Sequence, residues 1–364
     1  MKDHPQPDTL AIHADAGLEP LADVAPSIHV ATTFAADNPE GLVYAREAQP
    51  TRLRLEAVLG ALEGGEAVVY SSGQAATMAA LMQLSPRRVA LADGYHGTRA
   101  VLEALRIEPV ELDAPLSRGD LVWLETPRNP TAEVLDVEAH CARAHRAGAS
   151  IVVDSTLATP VLLRPLDLGA DLVMHSATKF LSGHSDALAG VLVARDPGVA
   201  LKLKTARTVT GSVPGSLETW LVLRGLRTLA VRIRRQCETA TRLAAFLVGR
   251  VPRVFHPSLP GHPGEEVARR QMSGPGAVIA FELGSEEEAR GLPRRLRLIR
   301  EATSLGAVET LIDYRKRHDP HAPPGLLRLS VGLEDFEDLA EDLEGAFRGR
   351  ADSGPASKGP VPTG

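Results

Sequence analysis

Short apolar runs alternate with amphipathic stretches over the first half of the chain. Seven runs rich in Val, Leu or Ile lack strict polar alternation, which is typical of strands covered on both faces; they lie at 67–70, 88–91, 110–112, 121–124, 151–153, 172–174 and 190–193. Between several of them apolar residues recur at helical spacing, in a stretch that begins at residue 51 and at 73–84, 98–106 and 137–147. Thr51 is the expected N-cap of the first helix, and Gly64 is expected to end it. This alternation predicts an α/β domain with a largely parallel sheet.

The pattern changes after residue 216. A long amphipathic helix is predicted from 216 to about 248, with an interruption at Gly225, and such a helix could connect two domains. Beyond it, strands are predicted at 276–283 and 326–331, and helices at 286–300 and 334–347. These elements indicate a second, smaller α/β unit.

Four segments are therefore expected along the chain. Residues 1–45 show weak periodicity and several prolines, so they are predicted to form an extended arm that contacts a partner subunit. One α/β domain is predicted over 46–228 and a second over 229–350. The tail at 351–364 has almost no large apolar residue and is predicted to be disordered.

Composition and charge narrow the class of protein. The chain has 364 residues, of which 44% are hydrophobic and 24% charged, so a wholly disordered protein is excluded. The formal net charge of −6 does not indicate the basic surface that is typical of nucleic-acid-binding proteins. No apolar run approaches the ~18 residues that a membrane span needs. The cysteines and histidines show no spacing typical of a disulfide framework or a metal site. We expect a soluble, cytoplasmic protein without bound metal and without nucleic-acid or membrane partners.

Two residues that follow predicted strands carry candidate chemistry. Lys179 follows the run at 172–174, and Asp154 ends the run at 151–153. Ligands of open α/β sheets bind at the carboxyl ends of the strands, so both side chains are expected near one site. A lysine and an acid in this arrangement are the minimum for pyridoxal phosphate (PLP), because the amine can bind the cofactor's aldehyde and the carboxylate can pair with its ring nitrogen.

Each of these two residues alone has a simpler interpretation. A lone lysine after a strand is usually solvated, and a lone aspartate there is usually a turn or cap residue. The spacing Ser176-x-x-Lys179 also occurs in penicillin-binding serine enzymes, but those need S-D-N and K-T-G elements. The nearest candidates, at 185–187 and 204–206, do not match.

A second signal lies at 70–74, where a predicted strand turns into a helix through small residues. Ser72 and Gly73 expose backbone N–H groups at the helix N-terminus, which can bind a cofactor phosphate; a helix cap without a ligand is the alternative. No glycine fingerprint of the P-loop or dinucleotide type follows a predicted strand, which disfavours NTPases and dehydrogenases.

Eleven segments, in one order along the chain, resemble the family of cystathionine γ-synthase, cystathionine γ-lyase and methionine γ-lyase. They are Y-A-R at 44–46 with P-T at 50–51, L-E-G at 62–64, S-S-G at 71–73, Y-H-G-T at 95–98, E-T-P-R-N-P-T at 125–131, V-D-S-T-L-A-T-P at 153–160, S-A-T-K at 176–179, G-H-S-D at 183–186, L-R-G-L-R-T-L at 223–229, S-L-G at 304–306 and L-R-L-S-V-G at 327–332.

This resemblance implies a PLP-dependent transferase fold of type I, like that of aspartate aminotransferase. The expected architecture is a mostly parallel central sheet, which holds PLP in the domain at 46–228, plus a smaller C-terminal α/β domain. The resemblance also implies a small-molecule sulfur amino acid as substrate. The chain would form at least a homodimer, and a homotetramer built from two such dimers.

The resemblance further implies roles for individual residues. Lys179, Tyr95 and Asp154 would be catalytic. The cofactor-binding set would be Tyr44, Arg46, Ser72, Gly73, Gln74, Tyr95, Asn129, Asp154, Thr156, Ser176, Thr178 and Lys179. Tyr44 and Arg46 would reach the cofactor phosphate of the partner subunit. The substrate would meet Ser304, Leu305 and Arg328, and the planar guanidinium of Arg328 suits a carboxylate.

Departures from the family pattern leave the reaction open. Thr303 stands where cystathionine-handling members commonly carry Glu, and residues 313–315, Asp-Tyr-Arg, replace a frequent E-H-P.

One hypothesis is γ-elimination from methionine, homocysteine or cystathionine, which gives a thiol, ammonia and a 2-oxo acid. A second is γ-replacement by a synthase of the cystathionine γ-synthase or O-acylhomoserine sulfhydrylase type. A third is a binding or scaffold protein on a degenerate enzyme fold. Thr303 favours the first, on a smaller sulfur amino acid, and the presence of Lys179, Asp154, Tyr95 and Arg328 disfavours the third.

Overall fold

Two β-sheets organise the chain in the computed structural model, which describes residues 5–18 and 24–348. The first sheet has seven strands in the order β1-β7-β6-β5-β4-β2-β3. In chain order they are β1 (Glu66–Tyr70), β2 (Arg88–Leu91), β3 (Glu108–Glu111), β4 (Leu121–Glu125), β5 (Ser150–Asp154), β6 (Leu172–Ser176) and β7 (Gly190–Ala194). Strand β7 runs antiparallel to both of its neighbours, and the other neighbouring pairs are parallel. The seven predicted strands and the largely parallel sheet are confirmed.

Helices cover both faces of this sheet. Neighbouring residues of β1 belong to different hydrophobic clusters, Val69 to one and Val68 to the other, as expected for a strand buried on both sides. The helices are α1 (Pro7–His13), α2 (Pro50–Glu63), α3 (Gly73–Leu84), α4 (His96–Leu105), α5 (Val137–Arg146), α6 (Thr159–Leu162), α7 (Pro197–Thr210), α8 (Ser216–Leu226), α9 (Leu229–Leu247), α10 (Glu265–Gln271), α11 (Glu286–Gly291) and α12 (Phe336–Arg348).

The N-cap of α2 differs from the prediction. Thr51 was expected to cap the helix, but Gln49 is the N-cap, and its side chain accepts a hydrogen bond of 2.9 Å from the backbone N–H of Arg52. Pro50 can occupy the first position because it has no N–H to satisfy there. The Thr51 hydroxyl instead accepts a hydrogen bond from the backbone N–H of His29. Gly64 ends the helix at φ 84°, as predicted.

The single long helix predicted from 216 to 248 is two helices, α8 and α9, separated by Arg227 and Thr228. Gly225 lies inside α8, two residues before the break. A Cβ on Gly225 would lie 2.2 Å from the carbonyl oxygen of Ser182, so glycine permits a close approach between two backbones at this position. The carbonyl of Gly225 accepts a hydrogen bond of 2.8 Å from Arg232 Nη2 as well as one of 3.2 Å from the backbone N–H of Thr228.

The second sheet has five strands in the order β10-β11-β12-β9-β8. They are β8 (Arg253–Phe255), β9 (Val278–Glu282), β10 (Arg300–Glu301), β11 (Leu311–Tyr314) and β12 (Leu326–Ser330). The predicted strands at 276–283 and 326–331 are confirmed as β9 and β12. The predicted helix at 286–300 is wrong beyond Gly291, because a 3₁₀ turn containing Pro293 follows and the next three N–H groups, at 297–299, donate to Asp342.

The N-terminal arm is not extended throughout. Residues Pro7–His13 form α1, whose Ala11 is 2% exposed and packs in the main hydrophobic cluster of the same chain. The buried Asp15 accepts hydrogen bonds of 2.8 Å from Arg54 and 2.9 Å from Arg227. The prediction of an extended arm is therefore wrong at α1. The predicted disordered tail lies outside the described residues, and the expected domain boundaries stay predictions.

The carboxyl ends of β4, β5 and β6 face the second sheet. Contacts between the two sheets at this edge include a hydrogen bond of 2.9 Å from Arg328 on β12 to Asn129 after β4. Within residues 5–18 and 24–348, no helix combines the length and the apolar character required to cross a bilayer. This edge of the first sheet is where the candidate site lies.

Candidate active site

A cavity of about 400 Å³ opens at the carboxyl ends of β4, β5 and β6, beside β12. It brings together all of the sequence-predicted site residues except Tyr44 and Arg46. Those that line it are Ser72, Gly73, Gln74, Tyr95, Asn129, Asp154, Thr156, Ser176, Thr178, Lys179, Ser304, Leu305 and Arg328. The cavity is therefore built from seven stretches of chain, at 72–74, 95, 129, 154–156, 176–179, 304–305 and 328.

Lys179 lies in the turn after β6, and its amine points across the cavity. Lys179 Nζ donates a hydrogen bond of 2.9 Å to Ser304 Oγ. Burial lowers the pKa of Lys179 from its usual 10.5, and the nearby positive charge of Arg328 lowers it further. Both causes favour the uncharged amine, which is the nucleophilic form.

Asp154 is the last residue of β5. Its Oδ1 accepts two hydrogen bonds from Thr156, of 2.6 Å from the hydroxyl and 3.0 Å from the backbone N–H. Burial raises the pKa of Asp154 above its usual 3.8, although the hydrogen bonds from Thr156 oppose this shift. A buried carboxylate of this kind is stabilised by a cationic ligand atom.

The N-terminus of α3 forms one wall of the cavity. Ser72 is the N-cap, and its hydroxyl accepts a hydrogen bond of 3.0 Å from the backbone N–H of Ala75. A Cβ at Gly73 would lie 3.1 Å from Ser176 Oγ, so glycine lets that hydroxyl approach the start of the helix. Helix N-termini with nearby hydroxyls bind phosphate groups. The Thr178 hydroxyl is already bonded to the backbone of Ala189, to its N–H at 3.1 Å and its carbonyl at 3.2 Å.

Arg328 lies on β12 with its guanidinium at the cavity. Nη1 donates to Asn129 Oδ1 at 2.9 Å, and Nη2 donates to the carbonyl of Ser304 at 2.9 Å and to Asp313 Oδ2 at 3.1 Å. Burial lowers the pKa of Arg328 to about 10, and the charge of Arg315 contributes to this shift. The side chain stays cationic at neutral pH and is held in one orientation, as a carboxylate-binding arginine requires.

Tyr95 precedes α4, and its ring is partly exposed in the cavity. Burial raises the pKa of Tyr95 above 10.0, and the negative charges of Asp154 and Glu125 add to the effect. Its ring centroid lies 4.9 Å from that of His96. The phenol is therefore protonated at neutral pH and can donate a proton or a hydrogen bond.

Tyr44 and Arg46 do not line the cavity of their own chain. Both are exposed, and the guanidinium of Arg46 lies 5.6 Å from the centroid of the Tyr44 ring. Arg46 Nη1 donates to the carbonyl of Thr208 at 3.1 Å. The structure thus leaves these two side chains together at the surface.

Sequence reasoning missed several residues of the cavity wall. Glu125, His96, Arg315 and His318 line it, although no role was predicted for them. Glu125 could have been found from its position, because it ends β4 as Asp154 ends the neighbouring β5. Burial and the charge of Asp154 raise the pKa of Glu125 to about 7. Across the described part of the chain, no three His, Cys, Asp or Glu side chains lie in a metal-binding arrangement.

Comparison with known proteins identifies close relatives of this arrangement. The sequence model of the family described as Cys/Met metabolism PLP-dependent enzyme matches residues 8–348. Cystathionine beta-lyase MetC of Bacillus subtilis is 41% identical over 84% of this chain and 86% of its own. Cystathionine gamma-synthase of Mycobacterium tuberculosis is 38% identical over 94% of this chain and 96% of its own. The crystal structure of cystathionine gamma lyase (CalE6) from Micromonospora echinospora superposes with a TM-score of 0.88 at 39% identity, covering 94% of this chain and 99% of the other.

Proposed function

The chain belongs to the Cys/Met-metabolism family of PLP-dependent enzymes, and within that family we propose that it is a carbon–sulfur lyase. Its fold is the type I fold of these enzymes, its cofactor is PLP, and its substrates are small molecules of the amino-acid class. The proposed reaction is γ-elimination from a sulfur amino acid such as methionine, homocysteine or cystathionine, with release of a thiol, ammonia and a 2-oxo acid.

The cavity suits PLP on three independent grounds. The glycine at the start of α3 makes room for a phosphate beside the Ser176 hydroxyl. Asp154 is a buried carboxylate that a protonated ring nitrogen would stabilise. Lys179 has an amine whose pKa is lowered, so its free form can bind an aldehyde. When bound, PLP supplies an electron sink that weakens the bonds at the substrate's α-carbon.

Lys179 is the proposed covalent anchor for the cofactor and the proton carrier. As a free amine, Lys179 Nζ would take a proton from the substrate's α-carbon and move protons at the β-carbon. Ser304 Oγ accepts a hydrogen bond from Nζ at 2.9 Å, which holds the amine on the Arg328 side of the cavity. This position brings the base next to the group that would bind the substrate carboxylate.

Arg328 is the proposed clamp for the substrate's α-carboxylate. Its three acceptors, Asn129 Oδ1, the Ser304 carbonyl and Asp313 Oδ2, fix the guanidinium before substrate arrives. Preorganisation reduces the entropy that a bidentate contact would otherwise lose on binding. Leu305, next to Ser304, is buried and supports this loop.

The other cofactor contacts follow from position. Asp154, oriented by Thr156, would pair with the ring nitrogen, and Tyr95 would stack on the ring and donate a proton to the leaving sulfur. Asn129 would meet the ring hydroxyl. The backbone of Gly73 and Gln74, with the hydroxyls of Ser72 and Ser176, would hold the phosphate. The Thr178 hydroxyl would join them on releasing its hydrogen bond to the Ala189 carbonyl.

The choice of a lyase over a synthase rests on the identity of the residue at position 303, which is threonine. Thr303 lies on the cavity wall next to Ser304, and its side chain is uncharged at a position where the family resemblance implies Glu in members that handle cystathionine. A threonine at this position offers no counter-charge to a distal ammonium group. This favours cleavage of a sulfur amino acid whose far end is small and uncharged.

A second candidate function is γ-replacement. The similarity to cystathionine gamma-synthase over 94% of this chain favours it. The same cavity would then bind an activated homoserine ester and a thiol in succession. Elimination and replacement share their first steps, so they differ only in whether a second nucleophile binds before the product leaves.

We also propose a homodimer at least, and a tetramer of two dimers, in which Tyr44 and Arg46 act on the partner's cofactor. Their exposure beside Thr208, away from their own cavity, supports this assignment. The exposed apolar side chains of the neighbouring segment, Ile28, Val30 and Val43, support burial against another chain. The predicted cytoplasmic location stays a prediction.

Product analysis distinguishes the two reactions. The purified PLP-loaded enzyme is incubated separately with methionine, homocysteine, cystathionine and an O-acylhomoserine, each with and without cysteine. A lyase releases ammonia and a 2-oxo acid from the sulfur amino acids without cysteine. Formation of cystathionine from the ester and cysteine, with no cleavage of the sulfur amino acids, would support the synthase and overturn the lyase.

A further inference from the structure

Glu125 connects two stretches of chain that carry candidate site residues. Glu125 Oε2 accepts a hydrogen bond of 2.6 Å from the backbone N–H of Tyr95, and Oε1 accepts one of 2.8 Å from the backbone N–H of Asn129. Tyr95 is the N-cap of α4, whereas Asn129 lies in the loop after β4. A single carboxylate therefore sets the positions of two backbone segments, through hydrogen bonds that its charge strengthens.

Asn129 extends this connection to the second sheet. Its Oδ1 accepts the hydrogen bond from Arg328 Nη1 at 2.9 Å. A series of hydrogen bonds thus runs from the backbone of Tyr95 through Glu125 and Asn129 to Arg328. It connects the residue that carries the aromatic ring on one side of the cavity to the guanidinium on the other. A displacement at Glu125 would change the distance between these two groups.

Gly94 makes room for the Glu125 carboxylate. A Cβ at Gly94 would lie 2.3 Å from Glu125 Oε2, which is closer than nonbonded atoms approach. A residue larger than glycine would push the carboxylate away from the Tyr95 N–H. The absence of a side chain at Gly94 leaves the space that the Glu125 carboxylate occupies. This observation supports the position of Glu125 independently of its hydrogen bonds.

The charged groups around Glu125 act on its ionisation in opposite directions, since Asp154 raises its pKa and Arg128 lowers it. Asp154 is its in-register neighbour on β5, Arg128 is the next charged residue of its own loop, and Tyr95 faces it from α4. The negative charge of Asp154 opposes ionisation of Glu125, and a protonated ring nitrogen paired with Asp154 would relieve that repulsion. A cationic ring nitrogen at Asp154 would therefore favour the ionised form of Glu125, which accepts hydrogen bonds from both Tyr95 and Asn129.

We infer that Glu125 is a positioning residue, which holds Tyr95 and Asn129 in one arrangement and, through Asn129, keeps the aromatic ring in register with the Arg328 guanidinium. This inference rests on the proposed function for its kinetic consequence, but its structural part does not. Glu125 itself makes no proposed contact with the substrate.

Three variants test the inference in the PLP-loaded enzyme. Glu125→Gln keeps the size of the side chain, but its amide can accept only one of the two hydrogen bonds. Gly94→Ala leaves Glu125 in place and displaces its carboxylate. Asp93→Asn is the matched control, because Asp93 precedes Gly94 and its side chain is 94% exposed, paired with Arg99.

Backbone hydrogen exchange, followed by mass spectrometry of peptides that contain Tyr95 and Asn129, gives a readout independent of activity. Exchange in both peptides should accelerate about tenfold or more in Glu125→Gln, and in the Tyr95 peptide of Gly94→Ala, because the loss of a charged acceptor removes a hydrogen bond of that strength. The control should match wild type. Unchanged exchange in both variants overturns the inference.

Kinetics separate positioning from a general loss of stability. In both variants kcat per bound cofactor should fall about ten- to a hundredfold, while Tm and cofactor content stay close to wild type. A lower Tm or lower cofactor content with unchanged kcat per loaded site would show a merely structural role and would overturn the inference. If wild type itself cleaves no sulfur amino acid, the proposed function fails, and the exchange measurement still decides the role of Glu125.

Discussion

Lys179 and Ser304 meet across the boundary between the two sheets, with 2.9 Å between Lys179 Nζ and Ser304 Oγ. Lys179 follows β6 of the first sheet, whereas Ser304 lies in the loop between β10 and β11 of the second. The backbone carbonyl of the same Ser304 accepts a hydrogen bond from Arg328. One loop therefore positions both the proposed base and the proposed carboxylate clamp, so movement between the sheets would alter both together.

Lys179→Ala should abolish turnover, because no other group in the cavity is proposed both to anchor the cofactor and to move protons at the α-carbon. Borohydride reduction of the wild-type enzyme with PLP, followed by peptide mass spectrometry, should fix the cofactor on the peptide that contains Lys179. Fixation on a different lysine would contradict the assignment.

The pH dependence of covalent cofactor uptake should change in Arg328→Gln. The positive charge of Arg328 contributes to lowering the pKa of Lys179, so its removal raises that pKa. Because only the uncharged amine reacts, uptake by the apoenzyme should rise with pH and should require a higher pH in the variant, as followed by cofactor absorbance. Arg235→Gln, which removes an exposed arginine paired with Asp335, is the control. An unchanged or lower midpoint in Arg328→Gln would show that its charge does not act on Lys179.

Thr303→Glu should shift substrate preference toward a substrate with a distal ammonium group. A carboxylate on this wall gives a charge-assisted contact, and the ratio of kcat/KM for cystathionine to that for methionine should rise about tenfold or more. Thr303→Gln is the uncharged control of the same length. No change in the ratio for Thr303→Glu would mean that the far end of the substrate does not reach Thr303.

Mixed dimers test whether Arg46 acts on the partner's cofactor. Arg46→Ala alone should weaken PLP binding about ten- to a hundredfold through loss of a charge-assisted contact. Subunits of Arg46→Ala mixed with Lys179→Ala should recover activity, because one of the two hybrid sites is then wild type throughout.

The matched control for that mixture is Asp154→Asn with Lys179→Ala. Asp154 and Lys179 line the same cavity of one chain, so each hybrid site keeps one defect and no full-activity site forms. If heterodimers are demonstrated by mass and the Arg46 mixture does not recover, Arg46 acts within its own chain.

The strand-end rule explains how much of the site could be predicted. Asp154 and Lys179 were found because the carboxyl ends of parallel strands converge at one edge. Glu125 obeys the same rule on the neighbouring strand, yet its value lies in two backbone N–H groups, of Tyr95 and Asn129, that come near it only in the folded chain. Sequence spacing cannot predict such contacts. For the same reason it did not predict Arg315 and His318, which reach the cavity through the turn after β11.

The fold was predicted best where burial alone decides the element. Six of the seven strands of the first sheet are almost wholly buried, and they were found together with the largely exposed edge strand β3. The two-residue strand β10 and the three-residue β8 are too short for a periodic signal. Pro293, two residues after the end of α11, was a local signal for that end that the helix prediction passed over. The N–H groups of 297–299 bond to Asp342, more than forty residues away, and local patterns could not predict that contact.

The carbon skeleton released from cystathionine tests the central claim most directly. Cleavage at the γ-carbon gives cysteine, ammonia and the four-carbon 2-oxobutanoate, whereas cleavage at the β-carbon gives homocysteine, ammonia and the three-carbon pyruvate. Wild-type enzyme loaded with PLP is incubated with cystathionine without any added thiol, and the 2-oxo acid is identified by mass, with Lys179→Ala as the blank. The account predicts 2-oxobutanoate in equal amount to ammonia, released more slowly than from methionine because Thr303 gives the distal ammonium no counter-charge, and none from the blank. Pyruvate as the product would contradict γ-elimination.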